Sequence, residues 1–454
     1  MADFPNLFGT DGIRGVANRP PLTPEVIARI GSATVEIVAK HAKTRPVVVV
    51  GRDTRRSGDL IESALLAGML SAGATIHRAG AVPTPAVALL AREIKADLGV
   101  AITASHNPFE DNGLRFFGGD GYKLSDEVEV AISDLAQNGG TSTTLTRIGA
   151  DVGKVERIEH PLRRYLDFAR SSVASDFTLN GMRIAVDCAN GSASEATPTL
   201  LRELGADVHA FHHVPDGLNI NRDCGSTHPG EIARRVRETG AHVGIAHDGD
   251  ADRVLFCDER GEILDGDVLL AIAALDHLRR GKLVEQTLVA TVMSNFGLDE
   301  TLAKVGGKVV RTAVGDRHVL AEMVRRGLNV GGEQSGHLIF RDFSTTGDGL
   351  VSALQILSVM RASGSPLSEL KKCLAVYPQA QRNLPVTRKP PLAGLTEVTR
   401  LVADAEASLS GRGRVLLRYS GTEPKIRLLL EGPDEAEINR LADRIAAALV
   451  AAIG

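Results

Sequence analysis

Cysteine is scarce in this chain: its 454 residues include four, Cys188, Cys224, Cys257 and Cys373. They stand far apart with no CxxC spacing, so neither a disulfide framework nor a thiolate metal site is indicated, and buried free thiols are expected. No uninterrupted run of about 18 apolar residues is present to cross a bilayer, and the opening MADFPNLFGTDGIRG lacks a basic stretch followed by an apolar one. A soluble, cytoplasmic protein without a membrane partner is expected. Neither sign of charge dominates. The 52 basic and 56 acidic residues are interspersed and leave a formal charge of −4, which offers no broad basic field for a nucleic-acid backbone. Long low-complexity tracts are missing too, and hydrophobic (43%) and charged (24%) fractions match those of folded proteins, which excludes a disordered chain.

What the chain does contain is a repeated order of elements. It is too long for one hydrophobic core, and roughly three or four domains of about 100 to 150 residues each are expected. Hydrophobic patterning predicts a strand over 47–50, a helix over 57–71, a strand over 74–78, a helix over 85–94 and a strand over 97–102. The order recurs from Arg183, with a helix over 195–204, a strand over 207–211, a helix from Glu231 and a strand over 242–246. A third copy starts near Leu288, with a helix over 298–305, a strand over 308–312, a helix over 317–326 and a strand over 328–330. The tail departs from this order. Pro-containing sequence around 378–391 precedes a predicted helix over 395–408, strands over 414–418 and 426–430, and a helix over 435–452. The expected fold class is α/β: three similar α/β domains with mixed or mostly parallel sheets plus a C-terminal α+β domain, around a central cleft. Boundaries are placed at 1–150, 151–255, 256–372 and 373–454.

Each repeat ends in a polar loop: TASHNP at 103–108, DGDADR at 248–253 and GEQSGH at 332–337. Loops at the carboxyl ends of parallel strands are where α/β sheets bind ligands, so three such loops point to one shared site. Ser105 follows an apolar strand, where a hydroxyl serves as acceptor or nucleophile once something polarises it; an ordinary turn or cap residue is the plainer role. Asp248, Asp250 and Asp252 crowd three carboxylates together, which is unfavourable without a hard, oxygen-preferring cation. An EF-hand calcium loop fits poorly. Glu259 does fall at its twelfth position, but Arg253 fills the sixth, where glycine makes the sharp turn, and the flanks look like strands. Three carboxylates leave coordination positions open for a phosphate oxygen, which suits magnesium in phosphoryl transfer. Glu333, Ser335 and His337 offer donors and acceptors for sugar hydroxyls, although His337 alone would also suit a structural role. In the tail, Arg418 and Arg427 flank the small-residue turn 419–424, which suits an anion; the plainer reading is a solvated hairpin.

Together TASHNP, DGDADR, GEQSGH and RYSGTEP, in this order and spread over essentially the whole chain, resemble the four signature segments of the α-D-phosphohexomutases. The resemblance implies that Ser105 is a phosphoserine in the active enzyme and that Ser105, Asp248, Asp250 and Asp252 ligate one Mg2+. It implies that Glu333 and Ser335, with His337 beside them, face the sugar. Arg418, Ser420, Gly421, Thr422 and Arg427 would bind the phosphate not being transferred. His106, next to the phosphate carrier, and Arg14, Arg115 and Arg253 complete the implied catalytic group. Arg115 stands where family members often have lysine, and Tyr419 also departs from the common pattern. An arginine stays protonated, so Arg115 is assigned to electrostatic stabilisation rather than proton transfer.

The segments FGTDGIRG, PDGLNINRDCGSTHP at 215–229 and AVGDR at 313–317, with Gln334, resemble the branch of the family that handles glucosamine phosphates, the alternative being glucose or mannose phosphates. That branch implies interconversion of glucosamine 6-phosphate and glucosamine 1-phosphate on the route to UDP-N-acetylglucosamine. Glucosamine 1,6-bisphosphate would be intermediate and activator, and a homodimer is left open. A phosphatase that loses its phosphate to water and a noncatalytic sugar-phosphate binder are the competing classes. The binder has no need to keep serine, metal and clamp motifs together.

Overall fold

Runs such as Val243–His247 are buried along their whole length, the pattern of a strand covered on both faces by helices. The computed structural model describes residues 7–9, 11–40, 45–138, 146–420 and 424–454. Its first sheet contains β1 (Ile13–Val16), β2 (Val47–Arg52), β3 (Thr75–Ala81), β4 (Leu98–Ile102), β5 (Asp111–Gly118) and β6 (Lys154–Arg157), in the order β1-β5-β4-β2-β3-β6. The second contains β7 (Arg183–Asp187), β8 (Asp207–Phe211), β9 (Val243–His247), β10 (Val254–Asp258) and β11 (Ile263–Leu264), in the order β11-β10-β9-β7-β8. The third contains β12 (Thr287–Thr291), β13 (Lys308–Thr312), β14 (Val330–Gly332) and β15 (Leu338–Phe340), in the order β13-β12-β14-β15.

All three sheets share one core topology. The first parallel strand of each repeat lies between the second and the third, as in β4-β2-β3, β9-β7-β8 and β14-β12-β13. An antiparallel strand then pairs with the third: β5, β10 and β15 respectively. The sheets are therefore mixed, and each polar loop is the connection between a third strand and its antiparallel return. That places the three loops at equivalent points of three equivalent sheets.

Two expectations need correction. The last parallel strand of the third repeat is Val330–Gly332 rather than 328–330. Leu328 N–H still closes the preceding helix on Met323 O at 2.8 Å, and pairing with β12 begins only at Gly331, so the strand starts later than expected. In the tail, two strands were expected and three are found: β16 (Gln379–Pro385), β17 (Arg414–Tyr419) and β18 (Lys425–Glu431), in the order β16-β18-β17. The polar sequence QAQRNLP reads as a loop. Its place at the sheet edge tolerates both that polarity and the terminal proline.

A continuous apolar core runs through the first three units, including Val87, Ile184, Phe256, Leu288 and Leu354. The tail has its own core around Leu401, Ile426, Ile438 and Leu449. Its contacts with the third unit include polar ones, with Arg414 donating to Ser294 O at 2.6 Å and Phe296 N–H donating to Glu431 Oε1 at 3.1 Å, and the Phe296–Tyr377 ring contact. The cysteines are free thiols, three of them buried and Cys373 half-buried. Among the described residues no helix is long and apolar enough to cross a membrane.

Candidate active site

After β4 the chain turns sharply. Thr103 Oγ1 accepts the Ser105 N–H at 2.8 Å and donates to Asp53 at 2.8 Å, and Ser105 takes a left-handed conformation with φ +53°. The turn aims its hydroxyl at the second sheet. Ser105 Oγ donates to Asp248 Oδ2 at 2.6 Å, and His106 Nδ1 lies 3.3 Å from it. Burial and the charges of Arg253 and Arg14 push the His106 ring down to about 4, so it is neutral near neutral pH.

Asp248, Asp250 and Asp252 lie on the loop between β9 and β10, with ligand oxygens within 4.8 Å of one another and the side chains buried. Arg115, carried by β5, lies 3.3 Å from Asp250 and pairs closely with Asp252. Thr84 Oγ1 donates to Asp250 Oδ2 at 2.8 Å, and Arg253 N–H donates to Asp248 Oδ1 at 3.2 Å. Burial and the neighbouring charges of Asp252 and Asp250 push Asp248 well above the usual carboxylate range. Asp252 is the opposite case: against its burial, Arg115 and His337 hold it well below. The carboxylates of Asp252 and Asp250 likewise outweigh burial at Arg115 and raise it well above its ordinary value, so it stays charged.

Asp250 Oδ1 and Asp252 Oδ1 are buried without a hydrogen-bond partner. An orphaned carboxylate oxygen is costly. Two of them beside Asp248 form the donor set a hard divalent cation takes, with positions to spare for further oxygens. Donors are orphaned as well: Nε of Arg14, Arg115 and Arg253, and Nη2 of Arg14, are buried without acceptors. Arg14 Nη2 is 3.5 Å from Asp11, and burial and the charge of Arg115 lower its pKa. Unsatisfied guanidinium N–H groups around an acidic cluster are what a phosphate bridging to a cation would satisfy.

The third loop is tied to the second where Val254 N–H donates to Gly336 O at 3.0 Å. Gly336 has φ +90°, and a Cβ there would stand 2.4 Å from Val254 O, so no other residue fits. Glu333 Oε1 accepts Gly315 N–H at 2.9 Å, and Ser335 is exposed. His337, expected beside the sugar, is 2% exposed. Its Nδ1 lies 3.5 Å from Asp252, and its Nε2 accepts the Gly347 N–H at 3.2 Å.

Arg418 and Arg427 form a second group. They face each other across β17 and β18 and line a cavity of about 70 Å³ with Gln381, Asn383 and Met293. Like charges directly opposite in a sheet are unfavourable. Burial and the charge of Arg427 lower the Arg418 pKa, and Arg418 Nε is buried without an acceptor, so an anion would relieve the pair. Ser420 is 3% exposed, with its carbonyl accepting from Lys389 Nζ at 2.7 Å. Gly421 and Thr422 lie outside the described residues.

Sequence reasoning did not single out Thr84, Asp11 or the pair Lys123–Asp316, joined at 2.5 Å. Thr84 opens the helix Thr84–Glu93 and reads as a helix-start residue. Asp11 lies inside FGTDGIRG, and Asp316 inside AVGDR, so those two segments carried the only signal.

Four family models match in succession. They are described as phosphoglucomutase/phosphomannomutase alpha/beta/alpha domain I over residues 5–142, domain II over 163–261, domain III over 265–377 and the C-terminal domain over 382–448. A phosphoglucosamine mutase of Syntrophotalea carbinolica is 49% identical over 97% of this chain and 96% of its own length. One of Geobacter sp. is 48% identical over 99% and 98%. Among solved structures, a phosphoglucomutase/phosphomannomutase family protein from Burkholderia thailandensis superposes with a TM-score of 0.81 at 24% identity, covering 98% of this chain and 97% of that one. The N-acetylphosphoglucosamine mutase of Aspergillus fumigatus, solved with GlcNAc-6P and magnesium, gives 0.68 at 19% identity, covering 98% and 95%. The motifs, the repeated sheets and these matches agree that the chain belongs to the phosphoglucomutase/phosphomannomutase family, the α-D-phosphohexomutases.

Proposed function

We propose that the chain is a phosphoglucosamine mutase, interconverting glucosamine 6-phosphate and glucosamine 1-phosphate with Ser105 as the phosphate carrier. The observation that carries this reading is the Ser105 hydroxyl 2.6 Å from Asp248, in a buried triad with two unpartnered carboxylate oxygens. Relatives that are 48% and 49% identical over nearly full length support the choice of sugar.

Asp248, Asp250 and Asp252, with an oxygen on Ser105, would hold Mg2+, whose charge when bound offsets that of the transferring phosphoryl group. The residues of the chain do the rest. Arg115, Arg14 and Arg253 supply fixed positive charge and free N–H donors to the phosphate oxygens. His106, neutral near neutral pH, lies beside Ser105 Oγ, with Nδ1 3.3 Å away. In the forward half-reaction the bond from phosphorus to Ser105 Oγ breaks and one to a sugar oxygen forms, giving glucosamine 1,6-bisphosphate. The proton lost by the sugar hydroxyl ends on Ser105 Oγ, the position from which it donates to Asp248. The bisphosphate turns around and returns its other phosphate to Ser105.

Glu333 and Ser335 would read sugar hydroxyls, while His337 fixes Asp252 from behind. Arg418, Ser420, Gly421, Thr422 and Arg427 would hold whichever phosphate is not being transferred, so one site serves both half-reactions. Turnover of the phosphorylated protein on glucosamine, glucose, mannose and N-acetylglucosamine phosphates tests this. The highest kcat/KM is expected for glucosamine phosphates. A higher value for glucose or mannose phosphates, or release of inorganic phosphate as the main product, would contradict it.

A further inference from the structure

The stretch 215–229 is a connection inside the second unit that the proposed chemistry does not use. Ser105 depends on it nonetheless. A non-glycine residue at φ +53° is held there only if its surroundings hold it, and the donors that do so converge on two carbonyls. Arg55, fully buried, donates through Nη2 to Ser105 O at 2.9 Å and to Asn107 O at 2.8 Å, while Asp53 holds its Nε at 2.9 Å. Asn221 Nδ2 donates to the same two oxygens, at 2.8 Å and 3.0 Å.

The two clamps differ in origin. Arg55 belongs to the first unit, as Ser105 does, whereas Asn221 belongs to the unit that carries the acidic triad. Asn221 is itself anchored there, its N–H donating to Ala189 O at 2.9 Å just after β7. Asp187 grips the far end of the stretch through Gly225 N–H at 2.8 Å. The near end reaches back to the first unit, where Arg56 N–H donates to Gly217 O at 2.9 Å. Space around the joint is closed: a Cβ on Gly249 would stand 2.7 Å from Ser105 O and 2.9 Å from Asn221 Nδ2.

We infer that Asn221 is a positioning residue that registers the Ser105 turn of the first unit against the Asp248 loop of the second. It touches no reacting atom and acts through the peptide carbonyls on either side of His106. This rests on Ser105 as the phosphate carrier.

The direct test is Asn221→Asp, which keeps the shape and replaces a donor by an acceptor facing two carbonyls. With Arg55 intact the turn remains but loses its register, and a misplacement near 1 Å lowers rate by about 100-fold. The expected result is a fall in kcat of about that size with KM for glucosamine 6-phosphate unchanged. Asn221→Ala, which adds no charge, should show the same split in weaker form, with cooperative melting retained although lowered, because Ala at φ +57° is less favoured than Asn. Equal kcat in parent and variants, or a change confined to KM, would overturn the inference. Loss of cooperative melting in both variants would also overturn it, because Asn221 would then serve the fold and not the turn. Peptide mass of the parent separates the two levels: a parent never phosphorylated on Ser105 removes the underlying reading, whereas a phosphorylated parent with indifferent variants removes the inference alone.

Discussion

Asp250 receives a hydrogen bond from Thr84 and lies 3.3 Å from Arg115, yet its second oxygen has no partner. Asp250→Asn keeps the Thr84 bond and removes a charge from the proposed cation site. Losing one charge-assisted contact corresponds to roughly 1.5 to 3 kcal/mol, so Mg2+ affinity is expected to fall about 10- to 100-fold, with turnover falling too at fixed Mg2+. Calorimetric titration with Mg2+ checks this; unchanged affinity would take Asp250 out of the site. At this scale the sequence was informative where chemistry is contiguous. DGDADR displays three carboxylates at alternating positions, and Ser105 sits inside the recognisable segment TASHNP. What could not be read was pairing at a distance: nothing local marks Thr84 as the partner of Asp250 or Arg115 as the bridge between two aspartates. His337 illustrates the limit: nothing local in GEQSGH announces that its ring is buried with Nδ1 3.5 Å from Asp252.

Among the elements, the parallel strands at the centre of each mixed sheet were the most legible, since apolar runs such as Val243–His247 are buried along their length. The edge strand β16 was not, because a strand with one unpaired side need not be apolar. The antiparallel returns β5, β10 and β15 matter most for function, as each turns its polar loop back over the sheet, and β5 delivers Arg115. In the tail, register does what neither arginine could do alone: β17 and β18 set Arg418 opposite Arg427. Arg427→Ala should relieve that repulsion and leave the fold intact while weakening sugar-phosphate binding. One charge-assisted contact of about 1.5 to 3 kcal/mol corresponds to about 10- to 100-fold in affinity. More labelled glucosamine 1,6-bisphosphate should also escape per turnover, since this clamp would hold the intermediate while it turns. Equal affinity and equal escape in variant and parent would make the turn a solvated hairpin.

Across the whole molecule, the site exists because separate units are interlocked. Ser105 meets Asp248 between the first and second units, Val254 meets Gly336 between the second and third, and Lys123 meets Asp316 between the first and third. Arg317 adds a 2.7 Å contact with Glu129 between first and third. The threefold order of strands and helices was visible in the sequence as periodicity. The contacts were not, because their partners lie 143 and 193 residues apart at Ser105–Asp248 and Lys123–Asp316, beyond any local pattern. A continuous core joins the first three units while the tail has a core of its own, so the proposed transfer site and the proposed clamp for the other phosphate would lie on separately packed parts. Everything converges on one serine. The most direct measurement is to incubate the protein with glucosamine 1,6-bisphosphate carrying labelled phosphate, isolate the Ser105 peptide for mass analysis, and chase with unlabelled glucosamine 6-phosphate. One phosphate on Ser105 that leaves into glucosamine bisphosphate and monophosphate, and is lost altogether in Ser105→Ala with the fold retained, is the expected result. A peptide that never gains phosphate, a label that leaves only as inorganic phosphate, or a turning-over Ser105→Ala protein would contradict the covalent relay.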